Sequence, residues 1–170
     1  MNIRFTGFGG QGIILSGVIF GWAAILDGKN AIQTQSYGSS ARGGACKCDV
    51  IIQDTNIYEL VPSGNDILVA FSQPAFDRYK KSLLANGLLF YDSDLVKTNS
   101  FEASAYSISA TDIAFKEFGN KMFANILMLG FINSKTNLLK PEAIEESIKH
   151  YVPAKYADIN INVFRLGAGL

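Results

Sequence analysis

A strand-like run, Ile3-Arg4-Phe5-Thr6, passes directly into Gly7-Phe8-Gly9-Gly10-Gln11-Gly12 and then into an apolar, helix-like stretch from Ile13 to Leu26. A strand, a glycine-dense turn and a helix in that order constrain both the fold and what it can hold. Glycines let the backbone turn sharply and approach a guest, and the start of the helix offers unpaired N–H groups with a partial positive charge. Ile13, Ile14, Val18, Trp22, Ile25 and Leu26 recur at helical spacing, so this helix is expected to pack on a sheet. Gly17 and Gly21 on it read as a close helix–sheet contact, and Asp27-Gly28 as its end, with Gly28 the left-handed cap.

The rest of the chain alternates in the same manner. Asn30 to Ser36 reads as a second strand. Cys46, Cys48, Val50 and Ile52 alternate with Lys47, Asp49 and Gln53, a period of two that predicts a third strand with one wet face. Asp66-Ile67-Leu68-Val69-Ala70-Phe71 is a nearly continuous apolar run of the buried parallel kind. It closes at Ser72-Gln73-Pro74, where Pro74 suits the first turn of a helix reaching about Leu84. Asn86-Gly87 is expected to turn the chain into a fifth strand, Leu88 to Asp92, and a weaker strand covers Ala103 to Ile108. A short helix from Thr111 to near Gly119 follows. The next helix, Met122 to Asn133, is apolar nearly all round and should lie between the sheet and another layer. Pro141 opens an amphipathic helix ending near His150, and the tail from Ile159 to Leu166 reads as strand. Alternating strands and helices imply an α/β, Rossmann-like three-layer sandwich with a mostly parallel sheet. The 170 residues are expected to form one domain, 1–170, which by size buries about 70% of its unfolded surface.

Charge narrows the partners. Lys plus Arg and Asp plus Glu number 15 each, so the basic footprint a nucleic-acid protein needs is missing. Charged residues are 18% of the chain, below the usual value of about 25%, which favours a subunit that lives inside a complex. No basic leader or uninterrupted membrane-length apolar run is seen, so the expectation is no membrane and a cytoplasmic protein. Cys46 and Cys48 sit too close on one strand to bridge each other comfortably, in keeping with a reducing compartment.

In open parallel sheets, ligands sit beyond the carboxyl ends of the strands. Three segments should gather there: Gly7 to Gly12, Tyr37-Gly38-Ser39-Ser40-Ala41-Arg42-Gly43-Gly44, and Ser72-Gln73-Pro74. Gly7, Gly9 and Gly12 satisfy G-x-G-x-x-G, the dinucleotide fingerprint. The second strand, however, carries no acid for a ribose, and no Gly-Lys-Ser/Thr follows the glycines as in a nucleotide-triphosphate loop. A stand-alone dinucleotide-binding protein stays as an alternative, as does a turn that only joins strand to helix. Arg42, flanked by small residues, has room to fork onto phosphate or carboxylate; a structural ion pair is its plainer role. Gln11 can meet a ligand or a neighbouring loop, Tyr37 reads first as a packing aromatic, and Asn125 as a buried amide bonded to a loop main chain. The candidate binding set is Gly7, Gly9, Gly10, Gln11, Gly12, Tyr37, Arg42, Gly43, Ser72 and Gln73. Catalytic and metal-ligating sets are not evident: the single His150 sits at a helix end, where the dipole accounts for it, and Cys46 and Cys48 should be inert on an apolar face.

Gly7-Phe8-Gly9-Gly10-Gln11-Gly12, Gln33-Thr34-Gln35-Ser36-Tyr37-Gly38 and Ala41-Arg42-Gly43-Gly44 together resemble the gamma subunit of the 2-oxoacid:ferredoxin (acceptor) oxidoreductases, the 2-oxoglutarate branch above all. The likeness runs on through Leu68-Val69-Ala70-Phe71-Ser72-Gln73, Asp92-Ser93-Asp94, Ala124-Asn125, Met128-Leu129-Gly130 and Asn160 to Gly167. The resemblance implies a complex that decarboxylates a 2-oxoacid on thiamine diphosphate, transfers the acyl group to coenzyme A and passes electrons through iron–sulfur clusters to ferredoxin or a similar acceptor. It implies alpha, beta and delta subunits as partners, with thiamine diphosphate, magnesium and clusters held there and no cofactor held by this chain alone. This chain would then be non-catalytic, its glycine loops facing coenzyme A or the alpha subunit. A pure assembly scaffold is the other reading, and a homodimer is conceivable for the isolated chain.

Overall fold

Strands form where the apolar runs lie. In the computed structural model, which describes residues 1–36, 45–98, 101 and 104–170, β1 (Asn2–Phe8), β2 (Asn30–Ser36), β3 (Ala45–Gln53), β4 (Asn65–Ala70), β5 (Leu83–Asp92) and β6 (Ser104–Ile108) make one six-stranded sheet in the order β2-β3-β1-β4-β5-β6. β1, β4, β5 and β6 are parallel, whereas β3 runs antiparallel to both its neighbours. The sheet is therefore mostly parallel, as expected. The period-two pattern of β3 does not encode its direction.

The helices are α1 (Ile13–Leu26), α2 (Gln73–Tyr79), α3 (Ala110–Phe118), α4 (Ala124–Thr136), α5 (Pro141–Tyr151) and α6 (Ala157–Ala168). Side chains alternate across the sheet. Ile3, Phe5, Cys48, Val50, Ile67, Val69 and Phe90 join α1 and the last four helices in the large core. On the other face, Leu68, Ala70 and Leu89 meet Phe76 of α2 in a smaller one. The three layers are thus unequal. Within the large core Phe20 of α1 meets Phe5 edge-on at 5.8 Å between ring centres, and Phe131 of α4 meets Phe90 at 5.9 Å. Every residue of α4 from Ala124 to Asn133 is buried, as its all-round apolar sequence predicts.

Four expectations need correction. The tail is helix α6, not a strand. Asn160, Phe164 and Gly167 share a buried stripe at helical spacing, and that stripe lies on α4. The polar face of β3 is wet at Gln53 but not at Asp49, which is 3% exposed because Arg4 on β1, directly opposite in register, grips its carboxylate, and Lys47, two residues before it on β3, joins them. Helix α2 stops at Tyr79, after which a 3₁₀ turn, Lys80–Ser82, leads into β5. β5 therefore starts at Leu83, and Asn86-Gly87 lies within it, where the pairing with β4 is irregular.

Candidate functional site

The parallel strands β1, β4, β5 and β6 deliver their carboxyl ends to one rim of the sheet. At that rim Gly10 and Gly12 take left-handed φ values of 92° and 72°. Gly12 is the N-cap of α1, and no side chain caps this helix start, nor does an acid lie in its first turn. Among the described residues, the N–H groups of Gly9, Gly10 and Gly12 donate to no backbone carbonyl. Among the described residues, the rim thus offers backbone donors and the positive end of a helix whose first turn carries no acid.

Gly9 stands apart from its neighbours. Its φ is not left-handed, and a Cβ placed on it would meet none of the described residues within 4 Å. Nothing among the described residues requires glycine at this position. At Gly12 the reason is internal: a Cβ would run into the side chain of Asn125 on α4, whose amide donates to the Gly12 carbonyl at 3.4 Å. Asn125 does what its burial in an apolar helix predicts.

Gln11 holds the turn shut from within. Its side-chain oxygen accepts the Phe8 amide at 2.7 Å, and its nitrogen donates to the Phe71 carbonyl at 2.8 Å. Gly7 lies beneath it at the end of β1. Ser72 accepts from the Ala75 amide as the cap of α2, and Gln73 donates to Asp77 while accepting from the Lys97 amide at 2.8 Å. The side chains of Gln11, Ser72 and Gln73 are therefore engaged by the protein itself. Tyr37, Arg42 and Gly43 lie outside the described residues.

Two cavities flank Gly10. One, of about 300 Å³, runs between Gln11, Phe71, Thr111 and Lys121. Lys121 was not among the residues expected from the sequence, although a cation just before an apolar helix at this rim was the available signal. The second, of about 360 Å³, lies between α1, α4 and α6 and is mostly apolar. Met122 borders both and is 70% exposed. Behind the first cavity Asp92 accepts from the Thr111 hydroxyl at 2.5 Å and from the Thr111 and Asp94 amides at 3.1 Å, which ties α3 to the end of β5. Burial pushes the Asp92 carboxyl above the ordinary carboxylate range in spite of these bonds.

The dinucleotide fingerprint meets a topological obstacle. In a dinucleotide site, β2 lies beside β1 and brings its acid to the ribose. Here β3 is inserted between them, and β2 carries Gln33, Thr34, Gln35 and Ser36 instead. Among the described residues, no group of three or more His, Cys, Asp or Glu is placed to hold a metal ion. Among the described residues, no helix is long and apolar enough to cross a membrane. Cys46 and Cys48 are buried under α1, and a Cβ on Gly17 would strike the Cys48 sulfur, which is the close helix–sheet contact expected there.

A glycine turn feeding a helix with no side-chain cap, on a sheet with one reversed strand next to its first, sets this α/β domain apart from the dinucleotide-binding arrangement. The chain belongs to the pyruvate ferredoxin/flavodoxin oxidoreductase family, whose model matches residues 2–170. It is 44% identical over 170 residues to the 2-oxoglutarate synthase subunit KorC of Methanocaldococcus jannaschii, covering 98% of this chain and 91% of that one. The KorC subunit of Methanothermobacter marburgensis is 40% identical over 177 residues, covering 99% and 95%. Among solved structures, the gamma subunit of a keto/oxoacid ferredoxin oxidoreductase from Geobacter sulfurreducens PCA superimposes with a TM-score of 0.86 at 40% identity, over 98% of this chain and 95% of that one.

Proposed function

We propose that this chain is the gamma subunit of a thiamine-diphosphate-dependent 2-oxoacid oxidoreductase, with 2-oxoglutarate as the oxoacid. The complex would release CO2, form the acyl-coenzyme A and pass electrons to ferredoxin or a similar acceptor. Thiamine diphosphate with magnesium and the iron–sulfur clusters belong, in this reading, to the alpha, beta and delta subunits, and this chain alone is inactive. Its own task is to present the glycine turn to coenzyme A: the amides of Gly9 and Gly10, which donate to no backbone carbonyl among the described residues, and the start of α1 bind phosphate, with Lys121 at the edge and Arg42 as a further cation for the phosphate.

The observation that carries this reading is Gly9, a glycine at the rim whose added Cβ would meet none of the described residues within 4 Å. Resemblance over the full length to named subunits of such complexes supports the same conclusion. The test is Gly9→Leu in the reconstituted complex, assayed by 2-oxoglutarate-dependent viologen reduction. The variant should assemble and keep kcat while the KM for coenzyme A rises. An unchanged KM with full assembly rejects coenzyme A at this turn, and full activity of a complex lacking this chain rejects the subunit role.

A pure scaffold is the second reading, favoured by the exposed apolar side chains of Tyr58, Val61 and Met122, which would be covered by sister subunits or, in isolation, by a second copy. It is supported instead if Gly9→Leu or Arg42→Ala prevents assembly.

A further inference from the structure

β2 lies at an edge of the sheet. Among the described residues it pairs with β3 alone, in unbroken antiparallel register from Asn30↔Gln53 to Ser36↔Lys47, and makes no other backbone–backbone bond. Every second residue of such a strand turns its N–H and C=O away from its one neighbour, which is a template for a further strand. Proteins blunt their edges with charge, proline, a bulge or a very short strand. Asn30-Ala31-Ile32-Gln33-Thr34-Gln35-Ser36 is seven residues long, carries no charge and no proline, and pairs with β3 without a register shift. Apolar surface borders this edge. Ala31 and Gln33 sit opposite Ile52 and Val50 of the large core and so lie on the α1 face, where a cavity of about 160 Å³ opens between Trp22, Ile25, Gln33 and Tyr151. A second cavity, of about 550 Å³, lies at the start of the strand between Asn30, Ile32, Ile57 and Tyr58. Ile25, Tyr58 and Tyr151 are all exposed.

We infer that this edge is an interface between two copies of the chain, in which β2 runs antiparallel to β2 of the second copy and joins the two six-stranded sheets into one. The strand's own sequence selects that occupant. A twofold axis perpendicular to the sheet at Gln33, the middle residue, sets Gln33 against Gln33, Ile32 against Thr34, Ala31 against Gln35 and Asn30 against Ser36 of the second copy. All seven residues find an opposite number, and no like charges meet along the seam, the repulsion that ordinarily defeats self-pairing. The same axis keeps the α1 faces of both copies on one side of the joined sheet. The two grooves walled by Trp22 and Tyr151 then meet across the seam, and their apolar walls leave water together. The inference does not depend on what the glycine turn binds.

The test is the oligomeric state of the full chain, read by sedimentation and by the emission of Trp22, its single tryptophan. With rising concentration the chain should pass from monomer to dimer, and the emission should shift to the blue in step as the groove beside Trp22 loses water. Gln33→Lys sets two ammonium groups against each other at the axis and should weaken the dimer about five- to tenfold. Gln33→Glu should do the same with two carboxylates. An equimolar mixture of these two variants should associate at least as tightly as the parent, because Lys then faces Glu, and that recovery is specific to the register centred on Gln33. Thr34→Lys, on the opposite face of the strand, should also weaken the dimer and serves if the Gln33 variants fail to fold. The inference is overturned if the parent stays monomeric at every concentration, if Gln33→Lys and Thr34→Lys both dimerise as well as the parent, or if the folded Lys and Glu variants stay apart when mixed. A monomeric chain whose β2 amides gain protection from hydrogen exchange only in the reconstituted complex likewise overturns it and gives the edge to a sister subunit.

Discussion

Gly130 of α4 and Gly167 of α6 press against each other's helix backbone. A Cβ on Gly130 would collide with the Phe164 carbonyl, and one on Gly167 with the Leu127 carbonyl. This crossing sets the distance between two of the helices that wall the larger cavity beside Gly10. Backbone cannot rotate aside as a side chain can, so Gly130→Ala should cost roughly 2–4 kcal/mol. Urea denaturation reads the loss, and a stability within error of the parent would show that the helices separate freely.

Arg4 and Asp49 face each other across β1 and β3, with Nε to Oδ1 at 2.5 Å and a second guanidinium nitrogen at 3.0 Å from the other oxygen. Tyr79 lies over the guanidinium at 5.5 Å. Removing one partner strands a buried charge, so Asp49→Ala should lose about 3–5 kcal/mol, whereas the double change Arg4→Met with Asp49→Leu should recover much of it. A double-mutant cycle by chemical denaturation checks both. Additive losses would mean that the pair is not coupled.

This pair also marks where the sequence stops being legible. Local periodicity locates α1 and β2 at their observed bounds, places the left-handed Gly28 after α1 and ends α3 near Gly119. The same periodicity makes Lys47 and Asp49 look solvated, because the arginine that covers Asp49 is 45 residues away in the chain. Ile159, Ile161 and Val163 are good strand formers, and only contact with α4 through Gly167 makes their segment a helix. The rim behaves similarly. The glycine turn is visible as a motif, but the engagement of Gln11, Ser72 and Gln73 within the protein, and the approach of Lys121, depend on tertiary packing.

Gln11 bridges Phe8 and Phe71, so Gln11→Ala should loosen the turn without removing any group that faces the guest. Two lost hydrogen bonds should lower stability by about 1–3 kcal/mol. In the reconstituted complex, the KM for coenzyme A should rise about five- to tenfold with kcat little changed. Steady-state kinetics at saturating 2-oxoglutarate provide the measurement, and an equal fall in kcat would point to damage elsewhere.

Cys46 and Cys48 differ from reactive thiols in their burial. Burial pushes the Cys48 thiol up to about 11 and raises Cys46 as well. At pH 8 the native chain should react with a disulfide reagent only as fast as it opens, and both thiols should titrate at once in denaturant. Rapid native modification of either would contradict the packing of α1 on β3.

Arg165 on α6 holds Glu145 on α5 through two bonds of 2.7 Å. The hydrogen bond to Arg165 is the main reason the Glu145 carboxyl lies below its ordinary value of 4.5. Since the folded value is depressed, the pair stabilises the fold above the unfolded value and stops doing so as the pH falls through the folded one. The arginine is 62% exposed, so solvent screens the pair and keeps its contribution small. Glu145→Gln should therefore melt slightly below the parent at pH 7, and the gap should close as the pH falls below the ordinary carboxylate range. Calorimetric melts across that interval decide the matter. A gap that stays constant with pH would assign the difference to packing between α5 and α6, and one that widens on acidification would reverse the sign argued here.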